Sequence, residues 1–271
     1  MRRIVVCADD YALSPGVSRA IRELVSHGRL NAVSVMTVIP GFEQECASLA
    51  SMPSPIPLAI GLHATLTGSF APLAALPFKT TDGKFPPLAK LLPPLGFLRI
   101  DRQAVKAEVA AQIAAFRKAF GRAPDFVDGH QHVQLMPGVR VPFLEAVLEA
   151  APKAWVRQCG AAAGASARGG KARLLEFLSR GFRRQARRIG LVFNPAFSGA
   201  YDFSTAESFG ALFARFLDAL PERGVVMCHP GFVDAELVTR DPLTGRREAE
   251  YKFLAGNDFP AALARAGASL A

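Results

Sequence analysis

No stretch of the 271 residues approaches the roughly 20 consecutive apolar positions that a bilayer-spanning helix requires, although half of the chain is hydrophobic. A membrane span is therefore not expected. The four cysteines, Cys7, Cys46, Cys159 and Cys228, form no CxxC pair, which argues against a cysteine-type zinc site and against a disulfide framework. Reduced structural thiols are expected instead. No internal repeat and no compositional boundary divides the chain, so a single domain over residues 1–271 is expected. Met1-Arg2-Arg3 and the short apolar run behind it imitate the start of a secretory signal. Asp9 and Asp10 interrupt that run too early, and no small-residue cleavage site follows, so a cytoplasmic location is the expectation. Acidic residues are in deficit, 23 against 32 Lys and Arg, for a formal charge of +9. That excess speaks to association with anions rather than to fold.

What is present begins with Ile4-Val5-Val6-Cys7-Ala8-Asp9-Asp10, a β-branched apolar run that reads as a strand buried on both faces and ends in two carboxylates. Ser14 as N-cap and Pro15 at the first helical position then open a helix carrying Val17, Ala20, Ile21, Leu24 and Val25, closed near Gly28. A strand over 32–39, a helix over 42–50 and a strand over 58–62 that delivers His63 follow. This β-α-β-α-β order predicts a parallel sheet. The fold expected is α/β, an irregular (β/α) barrel similar to a TIM barrel with mostly parallel strands, and its ligands should gather at the carboxyl ends of the strands.

Thr65 to Leu98 breaks the rhythm with six prolines and with Phe70, Phe78 and Phe85. It reads as a loop at the active-site mouth or as a packed surface excursion. An amphipathic helix over 101–120, capped by Gly121, precedes a short strand at Phe126-Val127 that runs into Asp128-Gly129-His130-Gln131-His132. A further helix follows Pro142, then a strand over 155–157. Residues 160–170 read as a Gly/Ala/Ser loop. Lys171 to Arg188 is strongly basic, with Leu174, Leu178 and Phe182 at helical spacing. A helix with a solvated arginine face outweighs a nucleic-acid or membrane-surface helix here. Ser204-Thr205-Ala206-Glu207 predicts a capping box for a helix through Leu220, and Val225–Cys228 predicts a last strand that carries His229.

Four of the five histidines, His63, His130, His132 and His229, thus stand at or beside strand ends, and so does the acidic pair. His27 belongs to a helix end as a capping cation. Imidazoles plus a carboxylate with no thiolate suit a divalent metal, zinc above all, with an oxygen-preferring ion such as magnesium as the alternative. His130 and His132 are two apart, so in an extended segment either or both could reach an ion. Asp9 and Asp10 are adjacent and should point different ways, which suggests different tasks.

Ala8-Asp9-Asp10-Tyr11-Ala12-Leu13-Ser14, Ile60-Gly61-Leu62-His63-Ala64-Thr65-Leu66-Thr67, Asp128-Gly129-His130-Gln131-His132, Cys228-His229-Pro230-Gly231 and Arg247-Glu248-Ala249-Glu250-Tyr251 occur in that order. Together they resemble the YdjC-like family of carbohydrate deacetylases. The resemblance implies an irregular (β/α) barrel and a metal held by Asp10, His63 and His130. It puts Asp9 in the place of the general base and His229 in that of the general acid, with Arg157 orienting Asp9. His132 and Arg247 fall to supporting or pocket-lining places. The reaction implied is removal of an N-acetyl group from an amino sugar or chitooligosaccharide-like substrate by an attacking water made acidic on the metal. Cys7 replaces a frequent Asn, Tyr11-Ala12 a common Phe-Gly, and Gln131 and Gln134 stand where relatives often carry His, which leaves substrate choice open. Alternative readings are a metal-dependent amidase or sugar-phosphate hydrolase, and a binding module that uses the arginine-rich segment. The partners implied are the acetylated sugar and, as one form of assembly, a second copy in a homodimer; nucleic acid is not expected.

Overall fold

The computed structural model describes residues 1–77, 79–91, 100–162 and 170–270. Among them β1 (Arg2–Tyr11), β2 (Ala32–Val35), β3 (Ala59–Ala64), β4 (Phe126–Gly129), β5 (Trp155–Val156), β6 (Phe197–Ser198), β7 (Val225–Cys228) and β8 (Ala268–Leu270) form one sheet. Its order is β5-β4-β3-β2-β1-β7-β6, with β8 joined to the start of β1, and every pairing is parallel. The two ends of this path approach each other through a single Val156–Phe193 bridge and a bond from the Phe197 N–H to the Gly160 carbonyl. The sheet is thus an incompletely closed (β/α) barrel, as the sequence predicts.

The helices in chain order are α1 (Pro15–Ser26), α2 (Phe42–Ala50), α3 (Arg102–Phe120), α4 (Arg140–Ala150), α5 (Gly170–Arg188), α6 (Phe209–Leu217), α7 (Ala235–Arg240), α8 (Arg247–Ala255) and α9 (Asp258–Arg265). β1 is central, and from Val6 to Tyr11 every residue is buried. That is why its apolar stretch is continuous rather than alternating. Ser14 accepts a hydrogen bond from the Val17 N–H and Pro15 opens α1. Asp101 caps α3 and Gly121 closes it at φ 66°. His27, at the end of α1, places Nδ1 2.6 Å from the Glu23 carbonyl oxygen.

The expectations for β2, α6 and α5 need correcting, and β8 follows the strand expected to be the last. β2 stops at Val35, four residues short, because the chain turns at once into the bends that lead to α2. The helix expected from a capping box at Ser204 starts at Phe209, where the Ser208 hydroxyl accepts from the Ala211 N–H, and it ends at Leu217. Ser204 instead donates to Asp202 in a local turn. Leu174 does not belong to the buried stripe of α5, which runs through Leu175, Leu178, Phe182 and Ala186. The described part of the proline-rich segment is a packed excursion: Phe70 and Phe85 are buried, and Glu108 of α3 accepts from the Leu73 and Ala74 N–H groups. Phe78, residues 92–98 and most of the Gly/Ala/Ser loop lie outside the described residues.

Candidate active site

The site grows from an irregularity at the end of β1. Ala8 pairs with Val33 but Tyr11 with Val35, so β1 carries one residue more than β2 over that interval. Asp10 takes it up with φ 65°, and Ala12 follows at φ 74°. A bulge of this kind re-aims side chains at a strand end. Asp9 and Asp10 consequently border one buried cluster, 1% and 2% exposed, while facing different partners.

Asp10 Oδ1 lies 3.3 Å from His63 Nε2 and 3.1 Å from His130 Nδ1. One ligand atom from each of these three buried residues falls within 4.8 Å of the others. The other polar atoms of Asp10 and His63 are engaged elsewhere. Asp10 Oδ2 accepts from Arg247 at 2.7 Å. His63 Nδ1 sits 2.6 Å from Asp128 Oδ1, which also accepts from the Ser34 hydroxyl at 2.6 Å. A carboxylate behind a histidine fixes the tautomer and ring plane that present the other nitrogen to a cation. One carboxylate oxygen and two imidazole nitrogens, converging from three elements with Asp10 and His63 held from behind, fit a divalent ion. Arg247 and the two histidines hold the Asp10 carboxyl well below its usual range against the opposing effect of burial. Burial alone would depress His63, but the Asp128 and Asp9 carboxylates, with bonds to Asp10 and Asp128, push its imidazole up to about 10. A divalent cation bound there would displace that proton.

Arg157, fully buried just past β5, donates to both oxygens of Asp9 at 2.7 and 2.6 Å and lies 3.1 Å from Asp128 Oδ2. Those carboxylates outweigh burial and raise its pKa further. Gln134 braces this arginine by donating to the Arg157 carbonyl at 3.1 Å. Cys7, Asp9 and Asp128 also bring ligand atoms within 4.8 Å of one another. Arg157 already supplies the cation between those two carboxylates, so no ion is assigned there.

On the opposite wall His229 follows β7, its ring edge-on to Phe203 at 5.6 Å. Its Nδ1 is buried without a hydrogen-bond partner. Burial drives its imidazole down to about 4, although Asp10 and Asp9 pull the other way. α8 supports this wall through two fully buried residues one turn apart. Arg247 bridges Asp10 and Asp241, at 2.7 and 2.9 Å. Glu250 accepts from the His229 N–H and the Tyr201 hydroxyl, both at 2.6 Å. Burial raises the Glu250 carboxyl to about 7.

Of the residues singled out in the sequence, Asp9, Asp10, His63, His130, Arg157, Arg247 and His229 are brought together. His132 stands apart. Gln131 and His132 adopt φ 55° and 58°, so the segment after His130 coils instead of extending. His132 Nδ1 comes to rest 3.4 Å from Cys159 Sγ, its ring edge-on to Phe197. All four cysteines are buried and free, and burial holds the Cys46 and Cys159 thiols up at about 12, so they are inert. Ser34, Asp128, Tyr201 and Glu250 join the site as well, although nothing in the sequence marks them beyond the place of Asp128 and Glu250 beside His130 and Arg247 in their motifs.

The model of the YdjC-like protein family matches residues 3–265. A chitooligosaccharide deacetylase of Serratia marcescens is 30% identical over 243 residues, 87% of this chain and 84% of that protein. A carbohydrate deacetylase of Geobacillus stearothermophilus is 28% identical over 270 residues, 99% of this chain and 96% of the relative. Among solved structures, a candidate cellobiose-phosphate cleavage protein of Enterococcus faecalis V583 superposes with a TM-score of 0.78 at 21% identity, covering 100% of this chain and 97% of that one. At that identity the superposition speaks for the fold.

Proposed function

Because the chain belongs to the YdjC-like family, we propose that it is a metal-dependent hydrolase that removes the N-acetyl group from an acetylated amino sugar or short oligosaccharide. The observation that carries this reading is the convergence of Asp10, His63 and His130 beside a second, separately held carboxylate, Asp9. The relatives named as deacetylases supply the substrate class. Asp10 through Oδ1, His63 through Nε2 and His130 through Nδ1 would hold the ion, zinc or magnesium. When bound, such an ion polarises the acetamide carbonyl and acidifies water.

The protein's own residues do the rest. Arg157 aims Asp9, whose Oδ1 also accepts from the Cys7 thiol, while Oδ2 keeps a lone pair beyond its arginine bond. Asp9 takes the proton of the attacking water as the carbon–oxygen bond forms. Arg247 occupies Asp10 Oδ2 and so leaves one oxygen for the cation. His229 borders the leaving nitrogen as its proton donor. A ring whose pKa lies near 4 is the free base at neutral pH, so it must be charged within the catalytic cycle, by the proton released at Asp9. The low value also favours a second reading, in which Asp9 itself carries that proton to the amine and neutral His229 only orients the leaving group.

Asp9→Asn keeps shape while removing basicity. It should retain the metal and lose about 10²–10⁴ in kcat on N-acetylglucosamine oligomers, with acetate and amine released in equal amounts by the parent enzyme. Asp10→Asn and His63→Ala should instead lose metal by elemental analysis while keeping their circular dichroism. A fully active Asp9→Asn enzyme would overturn the mechanism. A loss of about 10²–10⁴ in His229→Gln supports the donor role, and a loss below tenfold supports the second reading.

A further inference from the structure

α5 carries a feature that catalysis does not use. Its buried face is apolar, while its solvent face presents Arg173, Phe177, Arg180, Arg184 and Arg188 at spacings of three and four, so that they form one stripe. Phe177 is 69% exposed in the middle of it, Leu174 at its edge is 47% exposed, and Val192, just past the helix, is 64% exposed. Large apolar side chains are seldom left in water along a stripe of like charge, where lysine or glutamate would serve solubility better. Most of the stripe's charge is also uncompensated. Glu176, the one acidic residue of the helix, pairs with Arg180 and Arg183. No carboxylate within ion-pair distance of Arg173, Arg184 or Arg188 occurs among the described residues. Arg140 of α4 adds to the patch, its guanidinium disfavoured by burial and by neighbouring Arg184.

We propose that the solvent face of α5 docks the enzyme on an anionic phospholipid surface, with Phe177 and Leu174 entering the headgroup boundary and the flanking arginines pairing with lipid phosphates. Cationic side chains interleaved with apolar ones on a single helix face are what an interfacial helix requires. A nucleic acid would engage the same arginines and could stack on Phe177, but it gives no use to aliphatic Leu174 and Val192, which have no stacking face. The location adds a reason. α5 follows β5 in a parallel β/α unit, so its first turns, with Leu174 and Phe177, lie toward the carboxyl ends of the strands where Asp9, Asp10 and the histidines gather. Docking through this helix would bring the site close to sugars displayed at a membrane.

The test is flotation of the intact protein with vesicles of phosphatidylcholine alone and with vesicles that also contain phosphatidylglycerol, over a range of salt. The expected result is association with the anionic vesicles only, weakening as salt rises. Arg184→Gln and Arg188→Gln should each lower the partition coefficient about fivefold, and Phe177→Ser should lower it further. These variants should keep wild-type turnover of soluble N-acetylglucosamine oligomers, or of any other soluble substrate the enzyme proves to use, so failure of the docking idea is separable from failure of the deacetylase reading. Equal association with neutral vesicles would overturn the proposal. So would binding that the three variants leave unchanged, or tighter binding of duplex nucleic acid than of anionic vesicles at the same salt.

Discussion

His63 and His229 occupy equivalent places, each at the end of a parallel strand and each facing the same pair of aspartates. One is pushed up to about 10 and the other down to about 4. Both are desolvated, so burial does not separate them. The walls behind them do. Behind His63 stand Asp128 at 2.6 Å, Asp10 at 3.3 Å and Asp9, with Arg157 fixing two of those carboxylates. Behind His229 the nearest acid, Glu250, spends its two oxygens on a main-chain N–H and a tyrosine hydroxyl and offers nothing to the ring. One wall can hold a cation; the other keeps an imidazole neutral. The same residue type at the same kind of strand end is thus assigned opposite protonation by what the neighbouring elements send toward it.

The two arginines give the strongest handle on this difference. Each is fully buried and each neutralises one member of the acidic pair. Removing one partner of a buried ion pair typically costs about 3–5 kcal/mol, because a charge is left uncompensated. Arg157→Met should show that loss in urea unfolding with or without divalent ion, since Asp9 and Asp128 then share no cation. Arg247→Met exposes Asp10 to the same deficit, but a divalent ion held as proposed by Asp10, His63 and His130 would supply the missing charge. Its loss should therefore shrink when metal is added. Equal rescue of both variants would break the distinction between the walls.

Glu250 tests the wall behind His229. Its carboxyl is raised to about 7 from an ordinary 4.5. The folded state thus holds a proton that the unfolded state gives up sooner. The associated stability is complete below about pH 4.5 and is lost as pH rises through about 7, for about 3 kcal/mol in all. Glu250→Gln cannot titrate. It also leaves one donor without its acceptor, a cost that is constant with pH. Unfolding free energies of both proteins between pH 5 and 8 should therefore converge as pH rises. Parallel curves would show that Glu250 is ionised throughout.

Asp128→Asn addresses the wall behind His63 more gently. Asparagine can still accept from Nδ1, but the charge that fixes the metal-facing nitrogen is gone. Carboxylates behind metal-binding histidines are worth about 10–100-fold in affinity. Calorimetric titration with the divalent ion should show a loss in that range with the fold intact. An unchanged affinity would mean that Ser34 and packing alone hold the ring.

Much of this architecture is legible in the chain, and its gaps have physical causes. The double-faced burial of β1 writes itself as an unbroken apolar run. The ends of α1 and α3 are marked by Ser14, Pro15, Asp101 and Gly121, whose chemistry acts within one turn. Signals of that range survive in a sequence. The false cap at Ser204 shows their weakness: a serine four residues later does the capping, and nothing local ranks the two. Leu174 fits a helical period with Leu178 and Phe182 yet lies outside the buried arc, because a period does not say how wide that arc is. Within the site, the strand-end histidines and acids stand out by type. The residues that decide their protonation do not. Asp128 reaches His63 across 65 positions, and Glu250 reaches the His229 main chain from a helix late in the chain. The extra residue in β1 that lets Asp9 and Asp10 share one cluster leaves no trace in composition at all.

That strand end, from which the two walls diverge, offers the smallest effect. Ala12 sits at φ 74° with its N–H donating to the Ser18 hydroxyl. A left-handed conformation costs a Cβ-bearing residue about 1–2 kcal/mol, and glycine is the residue that occupies it without strain. Glycine gives back about 0.5–1 kcal/mol through the greater freedom of its unfolded chain. Ala12→Gly should therefore stabilise the fold by about 0–1.5 kcal/mol, visible as at most a small rise in the urea midpoint at unchanged slope. If the strain at Ala12 serves only to turn the chain, turnover stays the same. If it also holds Asp10 in its own left-handed conformation two residues earlier, the relaxed variant binds metal less tightly while unfolding later, and the two measurements move in opposite directions. A drop in stability instead would show that the methyl group packs well enough to outweigh the backbone strain, and that the divergence of the two walls is set by Asp10 alone.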